Sequence, residues 1–214
     1  GFLGGQPILF PAAAGVVTGS DDDSFFAPKA TLQWQPQDGA MLYGSIAQGI
    51  KPSGISTVTG GVGAFDPDAN RFESEKVLVY ELGAKTDWLD QTLRVNGAVF
   101  FQDFTDKQVT GQVPDANGIL RSKVYTANAE VWGLEADVTW LATEHLTLSA
   151  AYTWLDTEYT DFTQLTSSVG TISYMQQCEV VTFDVPTCRV SFNGNELENA
   201  PRNAFVGSAS YRRA

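Results

Sequence analysis

Alternation of apolar and polar residues with a period of two is the feature that most restricts how this chain folds. The alternation runs through segments of about ten residues, and β-strands produce it because successive side chains point to opposite faces. In segment 131–141, Trp132, Leu134 and Trp140 share one face, while Glu135 and Asp137 share the other. The same pattern predicts seven strands: Lys29–Gln35, Ala40–Gly49, Val77–Trp88, Leu93–Phe101, Val131–Leu141, Leu146–Trp154 and Asn203–Tyr211. No segment has a convincing helical period, so the sequence predicts an all-β protein.

The connections between these strands alternate between short and long. Turns of three or four residues are predicted at Pro36–Gly39, Leu89–Gln91 and Ala142–His145, and long polar stretches at about 50–75, 111–123 and 160–202. All short turns then lie at one end of an antiparallel sheet and all long connections at the other. Antiparallel transmembrane barrels have short periplasmic turns and longer extracellular loops. A soluble sandwich has no reason to sort its connections in this way.

Tryptophan recurs once per pair of strands, just before each short turn. Trp34, Trp88 and Trp140 all lie on the apolar face of their strands. Tryptophan favours a membrane interface because its ring is apolar while its indole N–H requires a polar partner. We therefore expect these three residues to form part of an aromatic girdle at the periplasmic rim. The alternative is a tryptophan core between two sheets.

The opposite face carries charged and polar residues in the middle of the strands: Glu81, Lys85, Asn96, Glu135 and Asp137. Burying unpaired charges in a protein core costs several kcal/mol or more. A barrel whose lumen is filled with water or with a plug avoids that cost. These five residues are therefore predicted to belong to a lumen wall, where they contact a plug or each other.

Composition excludes several other classes of protein. The chain has 25 Asp and Glu against 13 Lys and Arg, a net charge of −12, which disfavours nucleic-acid binding. Aromatic residues make up 12% and charged residues only 18%, unlike a disordered acidic chain. No apolar run approaches the roughly 18 residues of a membrane-spanning helix, although barrel strands never form such runs.

Enzymatic chemistry is not indicated by any motif. The single histidine, His145, lies in a predicted turn, and the sequence contains no nucleophile elbow, no P-loop and no zinc-protease motif. We predict no catalytic residues, no metal site and no cofactor.

The two cysteines, Cys178 and Cys188, lie in a polar stretch without other metal-ligating residues nearby. A local disulfide, formed in an oxidising compartment, is the favoured interpretation. Two free thiols remain the alternative.

Several segments together resemble the TonB-dependent outer-membrane receptors. They are the strand and loop start at 42–54 (LYGSIAQGIKPSG), the strands at 72–88 (beginning FESE and ending YELGAKTDW) and 93–104 (LRVNGAVFFQDF), the segment at 128–137 (NAEVWGLEAD), and GNELENAP at 194–201. In the last motif, Glu198 stands where the family usually has proline. Their order and spacing over residues 24–214 make the resemblance specific.

The resemblance implies an antiparallel up-and-down transmembrane β-barrel of about 22 strands, closed around an N-terminal plug. The expected location is the outer membrane of a Gram-negative bacterium, in contact with its lipid. The implied function is active import of a scarce nutrient, with a ferric siderophore as the expected substrate and the TonB complex as the source of energy. About seven strands of such a barrel are expected in residues 24–214. Residues 1–23 are expected to be irregular loop, with the plug and the TonB-contacting part missing.

In such receptors, ligand is recognised by the extracellular loops and the upper lumen wall. The residues of this chain that would then bind a ferric chelate are Lys51, Tyr80, Phe104, Lys107, Arg121 and Lys123. The alternative is that the cations are ordinary solvated side chains and that the aromatics serve the membrane interface. Two other functions stay open at this point: a passive porin-like barrel, and a secreted soluble β-sandwich that binds a ligand.

Overall fold

The structure, a computed structural model, describes residues 24–55, 71–114, 120–167, 179–182 and 187–213. In chain order the strands are β1 (Lys29–Gln37), β2 (Ala40–Lys51), β3 (Gly54–Ile55), β4 (Arg71–Phe72), β5 (Glu75–Trp88), β6 (Leu93–Pro114), β7 (Leu120–Thr143), β8 (Leu146–Asp161), β9 (Thr163–Ser167), β10 (Glu179–Thr182), β11 (Thr187–Ser191) and β12 (Asn203–Tyr211). Within the described ranges, no helix is long and apolar enough to cross a membrane.

Seven of these strands form one antiparallel sheet in the order β1-β2-β5-β6-β7-β8-β12. They are the seven strands that the alternation predicts, and each pairs with its neighbour along the chain. The turns at 38–39, 89–92 and 144–145 lie at one end of the sheet, which we call the turn end. The described strand ends that border 52–74, 115–119 and 162–202 lie at the other end, which we call the loop end. The predicted sorting into a turn end and a loop end is therefore confirmed, although the connection between β6 and β7 is shorter than predicted.

The register keeps one set of side chains on each face. Residues that pair across neighbouring strands form rows, and all members of a row share a face. One such row joins Trp34, Leu42, Ala84, Gly97, Ala136, Tyr152 and Phe205. We call the face that carries this row the apolar face, and the other the polar face.

Two strands continue well past the predicted boundaries. The sequence predicts a long polar connection at 111–123, but β6 and β7 stay paired up to Pro114 and Leu120. The prediction was wrong here because residues 105–114 lack clear alternation. Apolar and polar residues need not alternate in a two-stranded ladder whose faces are both exposed to water or covered by other polar segments.

A small apolar cluster at the loop end is the best-buried part of the described chain. It consists of Val109, Ala127, Ala129, Tyr159 and Phe162, against which Phe104, Tyr125, Phe192 and Leu197 pack. Four of these five residues, all except Phe162, lie on the polar face of β6, β7 and β8. The β8–β12 connection supplies its cover and contains a second sheet in the order β10-β11-β9.

The main sheet remains open in the described residues, with β1 and β12 at its two edges. Both edge strands are exposed along their whole length. Unpaired backbone N–H and C=O groups at such edges require further strands or water.

Candidate functional site

The apolar face presents large side chains outwards, without a covering layer. Trp34, Trp88 and Trp140 all lie on it, with 63%, 57% and 42% of their surface exposed. Trp88 and Trp140 share one row through Leu93. Trp34 shares a row with Ala84, which lies four residues before Trp88 on β5 and is therefore farther from the turn end. The Trp88 indole N–H donates to the Thr86 hydroxyl at 2.8 Å. These positions suit an aromatic girdle, which stays a prediction.

A second aromatic row crosses the same face nearer the loop end. Tyr80, Phe101 and Trp132 are paired side by side, with ring centres 6.3 and 4.6 Å apart. The next row towards the loop end contains Asp103, Glu130 and Glu158. Asp156 on β8 pairs with Trp132, so carboxylates begin on the aromatic row itself and predominate on the next row. Sequence reasoning missed the aromatic row, although the period of two in 77–88, 93–101 and 131–141 contains the signal.

Tyr80 is therefore placed apart from the other predicted ligand-binding residues. Its side chain lies on the apolar face with Phe101, whereas the ligand site was expected on the polar face. The reason is the strand period, since Tyr80 has the same parity as Leu82 and Trp88. We do not retain Tyr80 in the candidate site.

The predicted lumen-wall residues come together on the polar face in the middle of the sheet. Lys85, Asn96 and Asp137 share one row, and the Asn96 side-chain amide donates to Asp137 Oδ2 at 2.9 Å. Among the described residues, the Asn96 carbonyl oxygen is buried without a hydrogen-bond donor. Glu135 lies on the next row towards the loop end, and Glu81 on the row after that.

Two aromatic rings lie flat over glycines within this polar region. The Tyr43 ring covers Gly83, where an added Cβ atom would approach the ring to 2.4 Å, and Phe100 covers Gly133 in the same way. Lys85 Nζ lies 5.9 Å from the centre of the Tyr43 ring. Each glycine therefore provides the space that holds an aromatic side chain against the wall.

Towards the loop end, the polar face carries the lysines predicted to attract an anion. Lys51 Nζ lies 4.0 Å from Glu75, Lys107 Nζ lies 6.0 Å from the Phe104 ring centre, and Lys123 Nζ lies 5.7 Å from the Tyr125 ring centre. Lys107 and Lys123 pair with Ala127 and Gly111 of the facing strand, which places both on the polar face. The structure thus brings Lys51, Phe104, Lys107 and Lys123 to one face and one end.

Arg121 is described only through its backbone, which pairs with Val113 in the ladder between β6 and β7. Its side chain falls outside the described ones. The backbone of Cys188 pairs with Val180, but Cys178 lies outside the described residues. The disulfide therefore stays a prediction.

The segment 192–201, which we call the inner segment, runs beside β8 through backbone hydrogen bonds, and its side chains at 197 and 198 reach the polar face. Its backbone bonds to Tyr159 in both directions at 2.9 Å, and the Leu197 N–H donates to the Thr157 hydroxyl at 3.0 Å. The Tyr159 hydroxyl donates to Glu198, and Lys107 Nζ lies 4.0 Å from the same carboxylate. Burial, followed by this bond to the Glu198 carboxylate, raises the pKa of Tyr159. Tyr159 therefore remains a neutral hydrogen-bond donor throughout the physiological range. Sequence reasoning did not find this contact.

A metal centre is not formed by the described side chains, since no group of three or more His, Cys, Asp or Glu residues there has suitable geometry. The chemistry available on the polar face is that of recognition: lysine ammonium groups, aromatic rings and carboxylates.

Comparison with known proteins identifies the family. Residues 8–214 match the model of a family described as "TonB dependent receptor-like, beta-barrel". The chain belongs to this family. Its open seven-stranded sheet is accordingly a segment of a transmembrane β-barrel, with short periplasmic turns at the turn end and the extracellular side at the loop end.

Individual relatives agree with this assignment. The "Probable TonB-dependent siderophore receptor PiuA" of Acinetobacter baumannii is 24% identical over 208 residues, which cover 97% of this chain and 25% of that protein. The chain therefore spans about a quarter of the length of this curated relative.

Two crystal structures show the same fold. The ferric yersiniabactin uptake receptor FyuA of Yersinia pestis is 20% identical, with a TM-score of 0.56 over 85% of this chain and 22% of that one. The ferric-catecholate import receptor Fiu of Escherichia coli K12 is 18% identical, with a TM-score of 0.52 over 87% and 22%.

Proposed function

We propose that this chain is part of an outer-membrane active transporter that imports a scarce nutrient, with a ferric siderophore as substrate and the TonB complex as the source of energy. The observation that carries the proposal is membership of the TonB-dependent receptor family over residues 8–214. The name of PiuA as a probable siderophore receptor supports the substrate class. A passive porin-like barrel and a soluble β-sandwich have no comparable support.

In this proposal, the apolar face meets the lipid of a Gram-negative outer membrane and the polar face forms the lumen wall. Exposed Trp34, Trp88 and Trp140 support the first assignment because a soluble sandwich would bury them. The mid-strand charges support the second, since water or a plug domain would solvate them.

The lumen-wall group of Glu81, Lys85, Asn96, Glu135 and Asp137 is proposed to contact the plug that the family resemblance implies. Three of these five side chains are acidic and one is basic, so the wall favours a plug surface with basic residues. The buried Asn96 carbonyl oxygen adds a place for one donor from that surface. TonB itself would be contacted through the plug side of the protein rather than by these strands.

The ligand is proposed to reach the polar face at the loop end, near Lys51, Phe104, Lys107, Arg121 and Lys123. Ammonium groups next to aromatic rings suit an iron chelate that is anionic and carries planar groups. Neutral or cationic chelates would gain less from this surface.

Uptake of radioactive iron from a panel of defined chelates tests the proposed function. A strain that lacks the transporter should lose uptake of at least one chelate, and expression of the transporter with its complete barrel should restore it. Uptake should disappear when TonB is also deleted. Uptake that rises linearly with chelate concentration and is unchanged in the TonB deletion strain would contradict active import and favour a passive pore.

A matched pair of lysine variants tests the ligand-binding side. Lys123→Ala removes a cation from the polar face, whereas Lys76→Ala removes an exposed one from the apolar face at the same end. We expect Lys123→Ala to raise the half-saturating concentration of an anionic chelate about fivefold, since one such contact contributes about 1 kcal/mol. Lys76→Ala should leave it unchanged, and an equal effect of both variants would contradict the site.

A further inference from the structure

Glu198 is the residue of the inner segment whose side chain contacts the polar face of the main sheet at two places. Its carboxylate accepts hydrogen bonds and pairs with cations.

The Glu198 carboxylate links two strands that do not pair with each other. One oxygen accepts from Tyr159 on β8, and the other lies 4.0 Å from Lys107 on β6. The strand between them, β7, presents Ala127 and Ala129, with 3% and 0% of their surface exposed. These small side chains let the inner segment lie close enough for one carboxylate to reach both partners.

The exposure of the two side chains indicates which of them an incoming molecule contacts first. The Lys107 side chain is 19% exposed, whereas Glu198 is 52% exposed. Glu198 is therefore the more accessible member of this ion pair. The cation that the sequence singled out for ligand binding is already occupied by an acidic side chain of the same chain.

We propose that Glu198 is a specificity-determining residue, because its carboxylate occupies the place at Lys107 and Tyr159 that an anionic ligand group would take. An anion binds there only by displacing the Glu198 carboxylate from Lys107 and Tyr159. This inference rests on the proposed function in treating the polar face as the ligand side. It predicts selection against weakly charged anions, which cannot compete with a carboxylate that is already in place.

An ordinary surface ion pair contributes little to stability and does not fix the position of its side chains. Two observations distinguish this contact. Tyr159 is 4% exposed and donates to Glu198, and the Lys107 side chain is only 19% exposed. A hydrogen bond from a buried hydroxyl to a charged acceptor is stronger than a neutral one and fixes its direction.

Charge-selective acylation of Lys107 tests the proposal without knowledge of the substrate. Cells that express the protein are treated with two acetylating reagents, sulfo-N-hydroxysuccinimide acetate, which is anionic, and uncharged N-hydroxysuccinimide acetate. Mass spectrometry then gives the acetylation rate of Lys107 for each reagent, with Lys76 as internal reference. In Glu198→Gln, the anionic-to-neutral rate ratio at Lys107 should rise about threefold to fivefold, as expected when one charge at this distance is removed in water.

The matched control is Glu196→Gln, which neutralises an exposed carboxylate two positions earlier that forms no ion pair with Lys107. Its ratio should equal that of the wild type. Tyr159→Phe removes one of the two anchors of Glu198 and should give a smaller rise. Heat-modifiable mobility of each variant on gels reports that the barrel has folded.

An unchanged ratio in folded Glu198→Gln, or an equal rise in Glu196→Gln, would overturn the proposal. Acylation does not depend on transport, so a protein that fails the uptake test can still pass this one. Conversely, active uptake with an unchanged ratio would refute the role of Glu198 alone.

Discussion

At the scale of single residues, glycines and aromatic rings form matched positions on the polar face. An added Cβ atom at Gly133 would lie 2.0 Å from Phe100, and one at Gly83 would lie 2.4 Å from Tyr43. Glycine inside a strand normally weakens it because no side chain packs there. Here the neighbouring ring fills the space across the strand pair, which is one known way of stabilising such glycines.

Gly133→Ala should destabilise the protein, because the new methyl group forces the Phe100 ring away from its place. Overpacking of this kind costs about 1–3 kcal/mol. The matched control is Gly97→Ala, whose Cβ atom would have its nearest contact at 3.6 Å, an ordinary distance. The temperature at which the folded gel band is lost measures both, and equal temperatures for the two variants would contradict the packing role of Phe100.

At the scale of elements, each strand has an apolar face, which we propose meets hydrocarbon, and a polar face, which we propose lines the interior. On the apolar face, the aromatic row of Tyr80, Phe101 and Trp132 is followed at once by the row of Asp103, Glu130 and Glu158. Carboxylates are costly in hydrocarbon, while aromatic rings favour the interface. Asp156 on β8 also lies on the aromatic row, so we expect the extracellular boundary of the hydrocarbon at the level of that row.

Substitution by lysine on each face tests which one meets lipid. Leu82 lies between the two aromatic levels of the apolar face and is 65% exposed. Leu82→Lys should cost about 2–4 kcal/mol if it faces hydrocarbon near its middle, and the yield of folded barrel should fall. Ser45→Lys is the matched variant on the polar face, where it pairs directly with Glu81. A normal yield for Leu82→Lys with a loss for Ser45→Lys would reverse the assignment of the faces.

At the scale of the whole molecule, the main sheet needs partners at both edges. β1 and β12 each have one neighbour in the described residues, and both faces of each strand are exposed. In a membrane, unpaired backbone groups at such edges have no water to bond with. The seven strands are thus stable in lipid only as part of a closed barrel.

These 214 residues, produced without further sequence, should fail to insert stably into a bilayer. We expect aggregation or pairing between copies, and no heat-modifiable band after refolding into detergent or lipid. The matched control is the same segment within the complete barrel of a relative such as FyuA, replacing the equivalent strands. A monomeric, water-soluble product without detergent would contradict the barrel assignment of this chain.

The sequence by itself determined the all-β class, the seven strands, their two faces and the sorting of the connections between two ends. It could do so because strand periodicity is local, and because a membrane requires an apolar residue at every second position. The same rule selected the five residues proposed for the lumen wall, and the structure places them on one face around Lys85, Asn96 and Asp137. It also marked Lys107 and Lys123 as cations at the loop end.

Only the tertiary structure decided the arrangement of the chain at the loop end. There, neither face of β6 and β7 has to be apolar, so the sequence lacks the alternation that predicts a strand. The ladder nevertheless continues to Pro114 and Leu120. The contact of Glu198 with Lys107 joins residues far apart in sequence, and it depends on the inner segment folding onto β8. Local patterns carry no information on such a contact, because its partners meet only when the barrel wall has formed.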